Sequence, residues 1–249
     1  MTEAYHFLPG TPDSGILVVV DHASRDVPDD IDLGIDPALI DRHIGWDIGA
    51  ADLGQALCRR FGCPGLFGDV SRLVLDLHRE EDSAALIPES SDGHAIPGNH
   101  ALTDSERRGR IERFWRPYHG KLAELVAETR PALIAAVHSF TPRLETSVGP
   151  DRPWQVGILY NQDDRAARLA IAELRAVGIE TGDNEPYSGK LLNATMNMHA
   201  EANGIPYLAI EVRNDLIRET AEIEHWVDTL ERVIVHCRNK LAPERSFRT

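Results

Sequence analysis

The sequence predicts a single α/β domain spanning residues 1–249, with a central mixed, mostly parallel sheet and helices on both of its faces. Three observations predict it. Short β-branched runs such as Ile16-Leu-Val-Val-Val20 are apolar at every position, as strands covered on both faces are. These runs alternate with stretches whose apolar residues recur at helical spacing, the order that builds parallel or mixed sheets. No repeat, low-complexity tract or composition shift marks a linker, and α/β folds of 249 residues are often one domain.

Along the chain, Ile16–Val20 is the first strand, and the polar run Asp21-His22-Ala23-Ser24 follows it directly. Asp36-Pro37 opens a helical stretch. A helix continues from Trp46 to Phe61 and is stopped by Gly62, a C-terminal cap. Ser71–Leu77 reads as a strand. Glu80 to His100, with Pro88, Asp92-Gly93 and Pro97-Gly98, reads as a long loop of the kind that serves as a lid or binding loop. Thr103 and Glu106 form a capping-box pattern, and the helix they start runs to about Thr129, with Pro117 placed to kink or divide it. Strands follow at Ala132–Val137, Gln155–Leu159 and Ile179–Thr181, the first ending in His138-Ser139. Helices are predicted over Asp163–Val177 and Asn193–Asn203. Pro206–Val212 is a buried-type strand carrying one charge, Glu211, and Thr220–Leu241 is a final amphipathic helix.

Composition narrows the function. With 40 acidic and 26 basic residues the net charge is −14, which argues against nucleic-acid binding, whose affinity comes largely from Lys and Arg neutralising phosphates. A local arginine cluster would still admit a small anionic ligand. The three cysteines, Cys58, Cys63 and Cys237, form neither a disulfide framework nor a CxxC zinc site and read as partly buried thiols. No signal peptide is visible, and no apolar run approaches the ~18 residues needed to span a bilayer. A cytoplasmic location, with no membrane partner, is the expectation.

Chemistry is expected where polar residues meet strand ends, because ligands of open α/β sheets bind at the carboxyl ends of strands. His22, His138 and Glu211 occupy such places, and Asp47 lies at a predicted helix start. Two neutral imidazoles and a carboxylate make the open ligand set of a catalytic zinc, and a second carboxylate could move the proton of its water. With eleven histidines in the chain, any one taken singly is more readily a packing or surface residue than a ligand. His43, four residues before Asp47 on the same helical face, competes with it. Glu211 is harder to dismiss, since an unpaired charge in an apolar strand is costly. Arg72, Arg79 and Arg143 lie near these elements. Each could hold a substrate carboxylate or pair with a neighbouring acid such as Asp76, Glu80 or Glu145.

Taken in order, Asp21-His22-Ala23-Ser24, His43-Ile-Gly-Trp-Asp47-Ile-Gly-Ala, Ser71-Arg72-Leu-Val-Leu-Asp76-Leu-His78-Arg79, Ile96-Pro97-Gly98-Asn99, Phe114-Trp-Arg-Pro117-Tyr118-His119 and Ala136-Val-His138-Ser139-Phe140 resemble the N-formylglutamate amidohydrolase family. The resemblance runs from about Ile16 to Asp215. That family is similar in fold to the zinc carboxypeptidases and aspartoacylase. The resemblance implies one zinc per chain, with His22 and His138 as ligands. The glutamate that follows the first histidine by three positions in carboxypeptidases is Arg25 here, which cannot bind a metal, so the carboxylate ligand is assigned to Asp47. It further implies Glu211 as base, Arg72 as the group that polarises the scissile carbonyl, and Arg79 as the substrate-carboxylate anchor in Asp76-Leu77-His78-Arg79, where His78 replaces an asparagine. Arg143, His78 and Asn99 complete the expected substrate contacts. The implied reaction is hydrolysis of a small anionic N-acyl amino acid, N-formyl-L-glutamate to formate and L-glutamate. The alternatives are another N-acyl amino acid or short peptide, a metal-free binding protein on the same fold, and a serine hydrolase, for which no GxSxG elbow is present.

Overall fold

The computed structural model describes residues 3–146 and 151–242. Its elements run β1 (Tyr5–Leu8), β2 (Ile16–Val20), α1 (Ala50–Phe61), β3 (Gly65–Gly68), a two-residue hairpin β4 (Ser90–Ser91) and β5 (His94–Ala95), α2 (Asp104–Arg110), α3 (Arg116–Thr129), β6 (Leu133–Phe140), β7 (Val156–Leu159), α4 (Arg165–Ala176), β8 (Thr181–Asp183), α5 (Ala194–His199), β9 (Tyr207–Arg213) and α6 (Thr220–Leu241). Seven strands form one mixed sheet in the order β1-β3-β2-β6-β9-β7-β8. β3, β2, β6 and β9 run parallel, β1 is antiparallel at one edge, and β7 turns antiparallel against β9 with β8 parallel to it.

Both faces are covered, as apolar runs without alternation require. Ile16, Val18 and Val20 pack with α1, α4 and α6, whereas Leu17 and Val19 face α3, α5 and the long loop after β3. Cys58, Cys63 and Cys237 are fully buried free thiols in the first layer, not the partly buried ones expected. No helix among the described residues is long and apolar enough to cross a membrane.

Several boundaries fall where local chemistry puts them. Thr103 and Glu106 make the reciprocal capping box, and α6 spans the expected residues. A π turn over Ile111–Trp115 separates α2 from α3. It lies directly before Pro117, which lacks the N–H that a regular helix would need there.

One strand expectation is corrected. The segment Ser71–Leu77 is not a strand. It is a buried series of turns, in which Val74 and Leu75 donate backbone N–H groups to the Ser71 carbonyl. Its apolar residues are as buried as those of a strand, but side chains satisfy its carbonyls. Asn99 Nδ2 donates to Leu73 O at 2.8 Å and Arg110 NH1 to Val74 O at 3.0 Å. Buried backbone must be paired, and here no ladder does it. Conversely, β1 and β3 carry too little periodicity to be read in advance. β3, Gly-Leu-Phe-Gly, is a strand because it lies between β2 and β1. Gly65 and Gly68 are needed for close approach, since a Cβ at Gly68 would stand 2.1 Å from the Asp21 carbonyl.

Candidate active site

Three loops meet at the carboxyl ends of β2, β6 and β9 on the α3 face. His22 follows β2, and its carbonyl accepts a hydrogen bond from the Asp47 N–H at 3.0 Å, so the loop before α1 docks onto the strand end. Gly49, at φ 81°, lets that loop turn against Ile217, where a Cβ would meet the Ile217 carbonyl at 2.4 Å. Ser71 Oγ donates to Gly45 O at 2.8 Å, tying the Ser71–Arg79 loop to the Asp47 loop. His138 lies inside β6 rather than after it, directly across the parallel register from Glu211 in β9. That pairing joins residues far apart in sequence.

The resulting geometry is compact. His22 Nδ1 is 3.3 Å and His138 Nδ1 2.9 Å from Asp47 Oδ2. The ligand atoms of these three buried residues lie within 4.8 Å of one another, an arrangement able to hold a metal ion. Each ring is backed on its far nitrogen by a carboxylate. His22 Nε2 is hydrogen-bonded to Asp76 Oδ1 at 2.7 Å, whereas His138 Nε2 faces Asp21 Oδ2 at 3.5 Å without a hydrogen bond. This carboxylate–histidine backing is the usual outer support of metal-ligating imidazoles. Asp21 in turn accepts hydrogen bonds from Tyr118 at 2.6 Å and His78 at 2.7 Å. Asp21, His78 and His138 form a second converging set that shares His138. Arg72 spans the first set, donating to Asp47 at 3.1 Å and Asp76 at 3.0 Å.

Electrostatics match a site built for added positive charge. Burial pushes Asp21, Asp47 and Asp76 upward, yet the histidines and Arg72 outweigh it and hold all three carboxyls below their ordinary range. Burial also lowers His22 and His138, but facing carboxylates raise both above the ordinary histidine value. Burial raises Glu211 to about 7, with His138 pulling back and Asp47 adding to the rise. Glu211 Oε2 and His138 Nε2 are buried without a hydrogen-bond partner. Unpartnered polar atoms of this kind call for a ligand, ion or water. The donor set of two imidazoles and a carboxylate therefore fits a divalent metal.

His22, Asp47, Arg72, His138 and Glu211 line a cavity of about 240 Å³ with Arg79, His78 and, from the β4–β5 hairpin, Ser91 and Asp92. The structure thus brings together His22, Asp47, Arg72, His78, Arg79, His138 and Glu211. It does not bring Asn99 or Arg143 to this cavity. Asn99 is spent as a structural pin on Leu73 O, Pro88 O and Arg110. Arg143 is exposed and paired with Asp151. His43, the competitor of Asp47, instead meets Asp92 at 2.9 Å at the rim. The backing roles of Asp21, Asp76 and Tyr118 escaped sequence reasoning. Their signal was adjacency alone: Asp21 beside His22, and Asp76 two residues before His78.

The fold and the cluster define an α/β protein with a buried His–Asp site able to hold a metal ion. The N-formylglutamate amidohydrolase family profile matches residues 14–218, and the chain belongs to that family of hydrolases. Among solved structures it is similar to the gene product Atu2144 from Agrobacterium tumefaciens, at 28% identity over 96% of each chain with a TM-score of 0.88. It is also similar to N-formylglutamate amidohydrolase from Ralstonia eutropha JMP134, at 19% identity over 97% of this chain and 99% of that one with a TM-score of 0.71. No curated protein matches the sequence.

Proposed function

We propose that the protein is a zinc-dependent amidohydrolase of small N-acyl amino acids, with N-formyl-L-glutamate the substrate that family membership puts first. One observation carries the reading. Two imidazoles, each facing a carboxylate on its other nitrogen, present Nδ1 to a single Asp47 oxygen, and Glu211, whose Oε2 has no hydrogen-bond partner, lies across the register from one of them.

His22, Asp47 and His138 would hold the zinc, which when bound supplies Lewis acidity to the scissile carbonyl and acidifies a water. The remaining work belongs to the chain. A carboxyl with a pKa near 7 can hold or release a proton at neutral pH. Glu211 takes the proton of the attacking water and returns it to the departing nitrogen. Arg72 uses two of its N–H groups on Asp47 and Asp76, and a guanidinium has five, so donors remain for the developing carbonyl oxyanion. Arg79 anchors the substrate carboxylate. Asp76 and Asp21 keep the imidazoles oriented.

The test is metal content of the purified protein together with N-formyl-L-glutamate hydrolysis before and after chelation. About one zinc per chain, with activity lost on chelation and restored by zinc, supports the reading. A protein that binds no zinc when supplied, or turns over unchanged without it, sinks the metal-dependent mechanism.

A further inference from the structure

The cavity holds one cationic anchor and an apolar wall. Among the described residues, every basic side chain lining it except Arg79 sits within 3.5 Å of a carboxylate: His22 and Arg72 against Asp47 and Asp76, His138 against Asp47 and Asp21, His78 against Asp21, and His43 against Asp92. Arg79 approaches Asp76 only to 3.7 Å, and that carboxylate is already shared by His22 and Arg72. Two further arginines lie nearby but do not line the cavity. Arg143 is paired with Asp151 in solvent. Arg152 sits over the rings of Tyr187 and Phe140, with NH1 donating to Thr141 O and Tyr187 Oη. Asp92 and Glu211 add negative charge to the lining.

The wall is made by Phe140, Leu144, Leu159, Tyr187 and Leu192. Leu159 lies on the same sheet face as Glu211, two residue pairs along the strands: Glu211 pairs with Gly157, and Ala209 with Leu159. Leu144, Tyr187 and Leu192 are each half-buried, so they keep apolar surface in water beside the reacting groups, and Leu191 at the rim is 79% exposed. Apolar surface held open in a polar cavity gains by meeting an apolar ligand group. Among the described residues no cation lines this wall, Arg152 being engaged by Tyr187 Oη and Thr141 O, so a second carboxylate placed there would be desolvated without a direct partner.

We infer that the substrate is an N-acyl amino acid with one carboxylate and an apolar side chain, held by Arg79 at the carboxylate and by Leu144, Tyr187 and Leu192 at the side chain. The inference rests on the amidohydrolase reading above and narrows its substrate class. N-formyl-L-methionine and N-formyl-L-glutamate are the informative pair, because their side chains are alike in length and differ in charge.

The experiment measures kcat/KM for both compounds on the zinc-loaded full chain, and their binding by calorimetry. Methionine is expected to lead by about tenfold or more, the scale on which an apolar pocket discriminates. In Leu192→Lys or Leu144→Arg, folding being checked by the melting curve, the new cation is expected to shift the ratio towards glutamate by at least as much. Equal or better turnover of N-formyl-L-glutamate by the unaltered protein overturns the inference and leaves the amidohydrolase reading standing. Tighter binding of the methionine compound without turnover of either sinks that reading and supports the subsite. If calorimetry detects binding of neither compound, or the two bind equally, the subsite assignment fails.

Discussion

At the scale of single residues the site is a balance of buried charge. Asp21, Asp47, Asp76 and Glu211 converge on two imidazoles and Arg72, and no group in the set is adequately neutralised without the others. In Glu211→Gln the proposed proton carrier is lost while the proposed donor set remains. Turnover is expected to fall by about 10²–10⁴-fold, with zinc content by atomic absorption unchanged. His138→Ala removes a donor and is expected to lose zinc as well as activity; a variant that keeps one zinc and full turnover refutes the proposed ligand set. Asp76→Asn acts one step back. It leaves the three donors in place but weakens the backing of His22, and zinc affinity measured by competition with a chelator is expected to drop about 10–100-fold.

Among the elements, the Ser71–Arg79 loop matters most, because it delivers Arg72, Asp76, His78 and Arg79 with no regular secondary structure of its own. Asn99 and Arg110 hold it, and Arg110 NH1 also donates to Asn99 Oδ1 at 2.7 Å, so the pins form one network. Asn99→Ala orphans the Leu73 and Pro88 carbonyls and frees one Arg110 partner. Chemical denaturation is expected to show a loss of roughly 1–3 kcal/mol for each group left unpaired. Turnover should fall too although Asn99 lies outside the cavity, because the loop loses its register. Unchanged stability in this variant would show that the loop is held by its apolar residues alone.

On the scale of the whole molecule, the layer behind the site makes stability depend on pH. His119 and His199 pair through Nδ1 and Nε2 at 3.0 Å, and His119 Nε2 donates to the Leu77 carbonyl at 3.0 Å, beside His78 in sequence. A carbonyl only accepts, so His119 carries its proton on Nε2 and accepts at Nδ1 from His199. Burial lowers both rings from 6.5 to about 4. The unfolded chain therefore binds more protons than the folded one between these values. Their contribution is complete above pH 6.5 and is lost as pH falls towards 4, by ~3 kcal/mol for the first proton taken up. Urea titrations across that window should show the slope, and His199→Gln should flatten it. Chelation is a separate lever, since a metal held only by the native state stabilises it by mass action. Removing a tightly held ion is expected to lower the melting temperature by about 10 °C, with the shift reversed by added zinc.

What the sequence by itself determined was the set of elements whose signal is local. The all-apolar β2, the capping box at Thr103, the interruption near Pro117 and the span of α6 are each legible from a few neighbouring residues. Part of the cavity lining was legible too, His22, His138 and Glu211, because polar residues at the ends of apolar strands are conspicuous. What only the tertiary structure decided was who meets whom. The register that puts Glu211 beside His138, the docking of the Asp47 loop on His22, and the backing of both imidazoles by Asp76 and Asp21 are contacts between distant segments, and neither spacing nor propensity encodes them. The same cause explains why two expected substrate contacts lie elsewhere. Asn99 and Arg143 have side chains suited to binding a carboxylate, but burial drew one to orphaned carbonyls and exposure left the other with Asp151. Ser71–Leu77 has the apolar content of a strand, and became a loop because Asn99 and Arg110, rather than neighbouring strands, satisfy its backbone.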